Sequence, residues 1–187
     1  MNRWTEEIDK ITGRFLNSFS ILSEDELNWK PSPKVWSIAQ NMDHLITLNE
    51  TYFPVFAHLK SGSNSLPFIA KFGFAVNFFG KMILKSVQPE NRKKMKTFSV
   101  WEPKQSNFSK NILNQFEKHQ TRLKKEISEI IYLIKKNVVI SSPANKNIVY
   151  KLETALDIII AHEKRHFQQA SEVYELLKKQ GTLNTPT

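Results

Sequence analysis

The segment Ala161-His162-Glu163-Lys164-Arg165-His166-Phe167 carries two histidines four residues apart. On a helix that spacing places both imidazoles on one face, one turn from each other, so both can reach a single metal ion. Two ligands do not complete a site, and a third must come from elsewhere in the chain. His44 and His119 both lie near apolar stripes, whereas His58 falls close to a loop and reads as a surface residue. There is no cysteine in the 187 residues. Thiolate metal sites, disulfides and a cysteine nucleophile are therefore excluded, leaving His, Asp and Glu as the strong ligands.

The surroundings of the pair strengthen the metal reading. Leu152, Leu156, Ile159, Phe167, Ala170, Val173 and Leu177 form one helical stripe, with Glu163 and His166 inside it and His162 at its margin. A carboxylate buried beside two imidazoles costs several kcal/mol, on the order of the penalty for an unpaired buried charge, unless a cation or donors compensate. The string His162-Glu163-Lys164-Arg165-His166 also matches H-E-x-x-H, the zincin protease signature, in which the glutamate acts as general base. Its context argues against that fold: the extended form needs glycine and histidine where this chain has Gln169 and Glu172, and no upstream strand is expected.

Four helices must position these residues. The first is marked by Trp4, Ile8, Ile11, Phe15, Phe19 and Leu22 at steps of three or four. Ser23 and Glu26 form a candidate capping box, and Pro31-Ser32-Pro33 forces an extended link. Ser37 and Gln40 open the second helix as another box. Its stripe of Ile38, Met42, Leu45, Tyr52, Phe56 and Leu59 runs to about Lys60, with a kink at Pro54 because the Glu50 carbonyl loses its donor. The third helix follows Ser106 and carries Phe108, Ile112, Phe116, Leu123, Ile127, Ile130 and Ile134. Ser141-Ser142-Pro143 reads as loop, and the fourth helix spans about Lys151 to Lys179, stopping at Gly181. These stripes predict a single all-α domain over residues 1–187, a four-helix bundle with no strand and an insertion at about 62–105.

That insertion is phenylalanine-rich, with Phe68, Phe72, Phe74, Phe78 and Phe79 interleaved with Lys71, Lys81 and Lys85. Lysines, an asparagine and glycines interrupt it too often for a membrane span. It reads as an apolar, partly helical cover, pocket lining or homodimer contact, with a membrane-surface helix as the minor alternative. After it, Gln88 to Lys104 is a basic irregular connection holding Arg92-Lys93-Lys94 and Trp101-Glu102-Pro103.

The net charge of +9 raises nucleic acid as a partner. The excess is mostly lysine, scattered over solvated helix faces, while base and phosphate readout favours arginine. Neither nucleic acid nor a membrane is the expected partner. The N-terminus, Met1-Asn2-Arg3-Trp4-Thr5-Glu6-Glu7, has charges where a signal peptide needs an apolar run, so a cytoplasmic protein is expected.

Trp36-Ser37-Ile38-Ala39-Gln40-Asn41-Met42-Asp43-His44-Leu45, followed by His162-x-x-x-His166-x-x-Gln169, resembles the DinB/YfiT-like superfamily of bacterial four-helix metalloproteins. The resemblance spans roughly residues 3–179 in helix order. It implies that His44, His162 and His166 hold one divalent transition metal, zinc or nickel first, and that His119 is a core residue or one that supports a ligand from behind. It also implies an enzyme: a metal-dependent hydrolase, with Glu163 as a candidate for handling the proton, or a transferase using a low-molecular-weight thiol. Three imidazoles leave a coordination position open, so a bound water or thiol should ionise near neutral pH. The alternative is a non-catalytic metal-binding stress-response protein whose insertion contacts a partner or membrane.

Overall fold

The computed structural model describes residues 2–91, 101–103 and 105–183. Helix α1 (Arg3–Phe19) starts at an Asn2–Thr5 capping box, and the short α2 (Glu24–Asn28) starts at the Ser23–Glu26 box. The second long rod is divided into α3 (Ile38–Glu50) and α4 (Tyr52–Ser61). The break at Thr51 follows from Pro54: with no N–H there to reach Glu50, Thr51 N–H turns to the Leu48 carbonyl at 3.1 Å and the chain re-enters helix at Tyr52. A 3-10 turn (Phe68–Lys71) leads into α5 (Gly73–Val87), and α6 (Ile112–Ile130) and α7 (Leu152–Leu183) supply the last two rods.

The bundle is formed by α1, α3 with α4, α6 and α7, which pack pairwise around Ile8, Phe15, Met42, Leu45, Phe116, Leu123, Leu156 and Ile159, all without exposed surface. The apolar stripes of the sequence are these inward faces. Phe15 meets Phe116 and Phe167 at ring-centroid distances of 4.7 and 5.1 Å, joining three of the rods at one level. The Trp4 indole N–H donates to Asp157 at 2.8 Å and ties the start of α1 to α7.

Three expectations need correction. The segment expected to be free of strands holds an antiparallel hairpin, β1 (Val139–Ser142) and β2 (Asn145–Lys151), with Ile140 opposite Tyr150 and a two-residue turn at Pro143-Ala144. Its β-branched and aromatic residues Val139, Ile140, Val149 and Tyr150 suit a half-buried strand. Helix α7 does not stop at Gly181 but runs to Leu183, and the third rod begins at Ile112, leaving Phe108 as a buried anchor whose N–H donates to Asn28 Oδ1 at 2.8 Å.

Helix α5 lies across β2 and α7. Gly80 permits that contact: a Cβ there would stand 3.1 Å from Thr154 Cγ2 and 3.3 Å from Tyr150 Cβ. Among the described residues no helix is long and apolar enough to cross a membrane, and the basic run at Arg92-Lys93-Lys94 lies outside them.

Candidate metal centre

Local chemistry at the start of α3 sets the first half of the site. Ser37 Oγ accepts the Gln40 N–H at 3.1 Å and Gln40 Oε1 accepts the Ser37 N–H at 3.2 Å, so the capping box fixes where the helix begins. Asn41 and His44 then fall three residues apart on the face turned to α7. The second half is the turn of α7 that presents His162 and His166.

The three rings converge on their Nε2 atoms. His162 Nε2 lies 3.1 Å from His166 Nε2 and 3.4 Å from His44 Nε2, and one ligand nitrogen from each ring falls within 4.8 Å of the others. His44 and His166 are 2 % and 5 % exposed, and His162 is at the edge of burial at 9 %.

Hydrogen bonding at the outer nitrogens decides what the inner ones carry. His44 Nδ1 is 2.6 Å from the Trp101 carbonyl, which can only accept, so this nitrogen bears the proton. His166 Nδ1 is 2.7 Å from Asn41 Oδ1, and Asn41 Nδ2 is spent on the Ser37 carbonyl at 2.9 Å, which identifies the oxygen as the atom facing the ring. His166 Nδ1 therefore donates too. In the neutral rings, His44 and His166 both aim Nε2 lone pairs inward, and at most one proton, on His162 Nε2, stands among three converging nitrogens. The surplus of lone pairs is the donor set a cation fits.

A proton is a poor candidate for that cation. Burial pulls His44 down to about 4 against a smaller opposing effect of the Trp101 carbonyl. Burial likewise holds His162 and His166 well below the ordinary histidine value, reinforced by the neighbouring rings and by the Arg165 guanidinium. A metal ion binds the neutral ring, so these depressed values keep the three rings in the ligating form at neutral pH. The half-buried Trp36 covers one side, its ring nearly parallel to His166 at 5.8 Å and tilted to His44 at 4.8 Å.

The remaining candidates separate cleanly. His119 is buried on α6 against Phe53, with ring centroids 5.6 Å apart, and is not in the cluster. His58 is exposed and pairs with Ser63 Oγ at 3.0 Å. Glu163 is fully buried on the flank of α7 beside the pair, where its Oε1 accepts from Asn49 Nδ2 at 2.9 Å. Desolvation pushes its carboxyl up to about 7, offset in part by the Gln120 and Asn49 amides. Its oxygens are not among the converging ligand atoms. Asn41 and the Trp101 carbonyl orient the rings, and sequence reasoning did not single them out. Asn41 could have been noticed as an amide three residues before a ligand candidate; a backbone carbonyl leaves no signature.

Arg165, between the two α7 histidines, donates to the Ser86 carbonyl at 2.7 Å and so joins the end of α5 to the site helix. The family model described as DinB superfamily matches residues 7–170, a span that holds all three histidines. No curated protein and no solved structure matches the chain.

Proposed function

The chain belongs to the DinB superfamily, and from that premise we propose that it is a metal-dependent enzyme in which His44, His162 and His166 hold one divalent transition metal, zinc or nickel. The observation that carries this reading is the convergence of three Nε2 atoms, with the outer nitrogens of His44 and His166 already committed as donors. Neutral imidazole ligands leave the ion its full charge, which would give it Lewis acidity to make a bound water or thiol nucleophilic near neutral pH.

The protein's own contributions are positional. Asn41 and the Trp101 carbonyl lock two rings in the tautomer that faces inward. Trp36 shields them on one side. Arg165 adds a fixed positive charge close enough to depress the His162 and His166 rings.

Hydrolysis and transfer of a low-molecular-weight thiol both use such a centre. Arg165 favours the second, because a cation beside the rings suits an anionic thiol or an acidic acceptor. The test is to incubate the metal-loaded protein first with a thiol panel and a generic electrophile, then with esters and amides. Thiol consumption that stops on chelation, without ester or amide cleavage, is the expected outcome. Hydrolysis alone would select the hydrolase, and equal metal content in wild type and His166→Ala would remove the centre.

A further inference from the structure

Among the described residues nine large hydrophobic side chains are exposed, and six of them, Leu66, Phe68, Phe72, Phe74, Phe78 and Met82, fall in one stretch. The other three, Ile21, Tyr132 and Leu176, are scattered. Phe74 and Phe78 are 74 % and 61 % exposed, which is unusual for a residue type that dominates cores. Three of the rings are in contact, Phe68 with Phe72 at 5.3 Å and Phe72 with Phe74 at 5.9 Å, and Phe78 meets Phe79 at 5.6 Å.

The back of α5 is already committed. Ala75, Val76 and Gly80 are buried, and Ile83, Leu84 and Val87 are half-buried against the core. Among the described residues only the outward face lacks a partner, and it mixes apolar rings with exposed Lys81 and Lys85, while Lys71 lies 5.2 Å from the Phe68 ring centroid. Residues 61–89 contain no Asp or Glu.

We infer that this face docks onto the surface of a bilayer bearing anionic lipids. Phenylalanines enter the boundary between headgroups and acyl chains, and lysines along the same face reach the phosphates. The charge pattern decides among occupants. A second copy apposed on this face would bring Lys71, Lys81 and Lys85 against the same three cations with no acid in either segment to pair them, a repulsive and desolvated arrangement. Nor does the helix cross the membrane: fifteen residues reach about 22 Å, short of a hydrocarbon core of about 30 Å. The Arg165 bond to the Ser86 carbonyl holds the end of α5 on the bundle, so the face is presented by a fixed element.

The test is co-sedimentation of the full chain with vesicles of pure phosphatidylcholine and of phosphatidylcholine mixed equally with phosphatidylglycerol, at low and high salt. Wild type should sediment with the anionic vesicles and less with the neutral ones, and salt should weaken the binding. The double variant Phe74→Ser/Phe78→Ser should lose about 100-fold in partition, at about tenfold or more per ring withdrawn from the bilayer. Lys81→Glu/Lys85→Glu should lose at least about 25-fold at low salt, taking about fivefold for each cation removed. Because all four side chains are exposed, unchanged melting and metal content should accompany both effects. Wild type left in the supernatant with both vesicle types, or variants that sediment like wild type, would overturn the inference. So would a dimer in sedimentation equilibrium that F74S/F78S abolishes without any vesicle binding, an outcome that assigns the face to a second copy.

Discussion

Asn41→Ala should weaken the metal centre without touching a ligand. Asn41 is 1 % exposed and spans two partners, donating to the Ser37 carbonyl at 2.9 Å and accepting from His166 Nδ1 at 2.7 Å. Removing the amide leaves His166 free to place its proton on Nε2, the atom that must coordinate. A lost outer partner of this kind costs on the order of 10–100-fold in metal affinity, or about 1.4–2.7 kcal/mol. The metal-free protein should also lose about 2–3 kcal/mol, because a buried imidazole N–H loses its partner, the Ser37 carbonyl keeps only the residue-41 backbone N–H, and a small cavity opens. The two losses can be separated by measuring affinity through competition with a chelator and stability through urea unfolding of the apo form. His119→Leu serves as the control. It replaces a buried ring whose Nε2 has no hydrogen-bond partner among the described residues, so it should leave metal affinity within about twofold of wild type whatever it does to stability. Wild-type affinity in Asn41→Ala would refute the claim that this amide sets the His166 tautomer.

Two further expectations concern protons. With His44 at about 4 and the other two rings held well below 6.5, protons compete with the metal only below about pH 5, so affinity should fall less than about tenfold between pH 7 and pH 5, against roughly 10⁴-fold for three solvated histidines. The same depressed values mean that the unfolded chain binds more protons than the native one below pH 6.5, so the metal-free protein should lose stability as pH falls from there toward 4, read by urea unfolding. Glu163 has the opposite sign. Its carboxyl rises from 4.5 to about 7 on folding, a contribution of about 3 kcal/mol that is complete below pH 4.5 and lost as pH climbs through 7. Glu163→Gln should therefore gain on wild type by about 2–3 kcal/mol between pH 4.5 and pH 8 in the metal-free form; a pH-independent difference would sink this account.

Most of the fold was legible because burial and helix period coincide. Ile38, Met42, Leu45, Tyr52, Phe56 and Leu59 were read as one stripe and all prove buried. The break before Pro54 followed from a missing N–H, and the two capping boxes at Ser23 and Ser37 begin helices where the sequence places them. The hairpin escaped because its two strands are short and closed by Ser142-Pro143-Ala144, residues that read equally well as loop. Spacing along the chain could not separate His44 from His119, since both lie at the edge of a buried stripe. Only the helix each one faces distinguishes them: α3 turns His44 to α7, while α6 turns His119 to Phe53 on α4.

The five letters His162-Glu163-Lys164-Arg165-His166 show where spacing stops carrying chemistry. A helix advances about 100° per residue, so a glutamate next to the first histidine must point to a different side from the pair unless the surrounding fold brings the centre round to it. In this bundle α3 stands on that side, and its Asn49 Nδ2 donates to the carboxylate at 2.9 Å. The same rotation that gives His162 and His166 to α3 as ligands gives Glu163 to the core as a polar contact between helices. What distinguishes this centre from a protease-like one is therefore the set of rods that flank α7, which set the Asn49 amide against Glu163 and the His44 ring against His162.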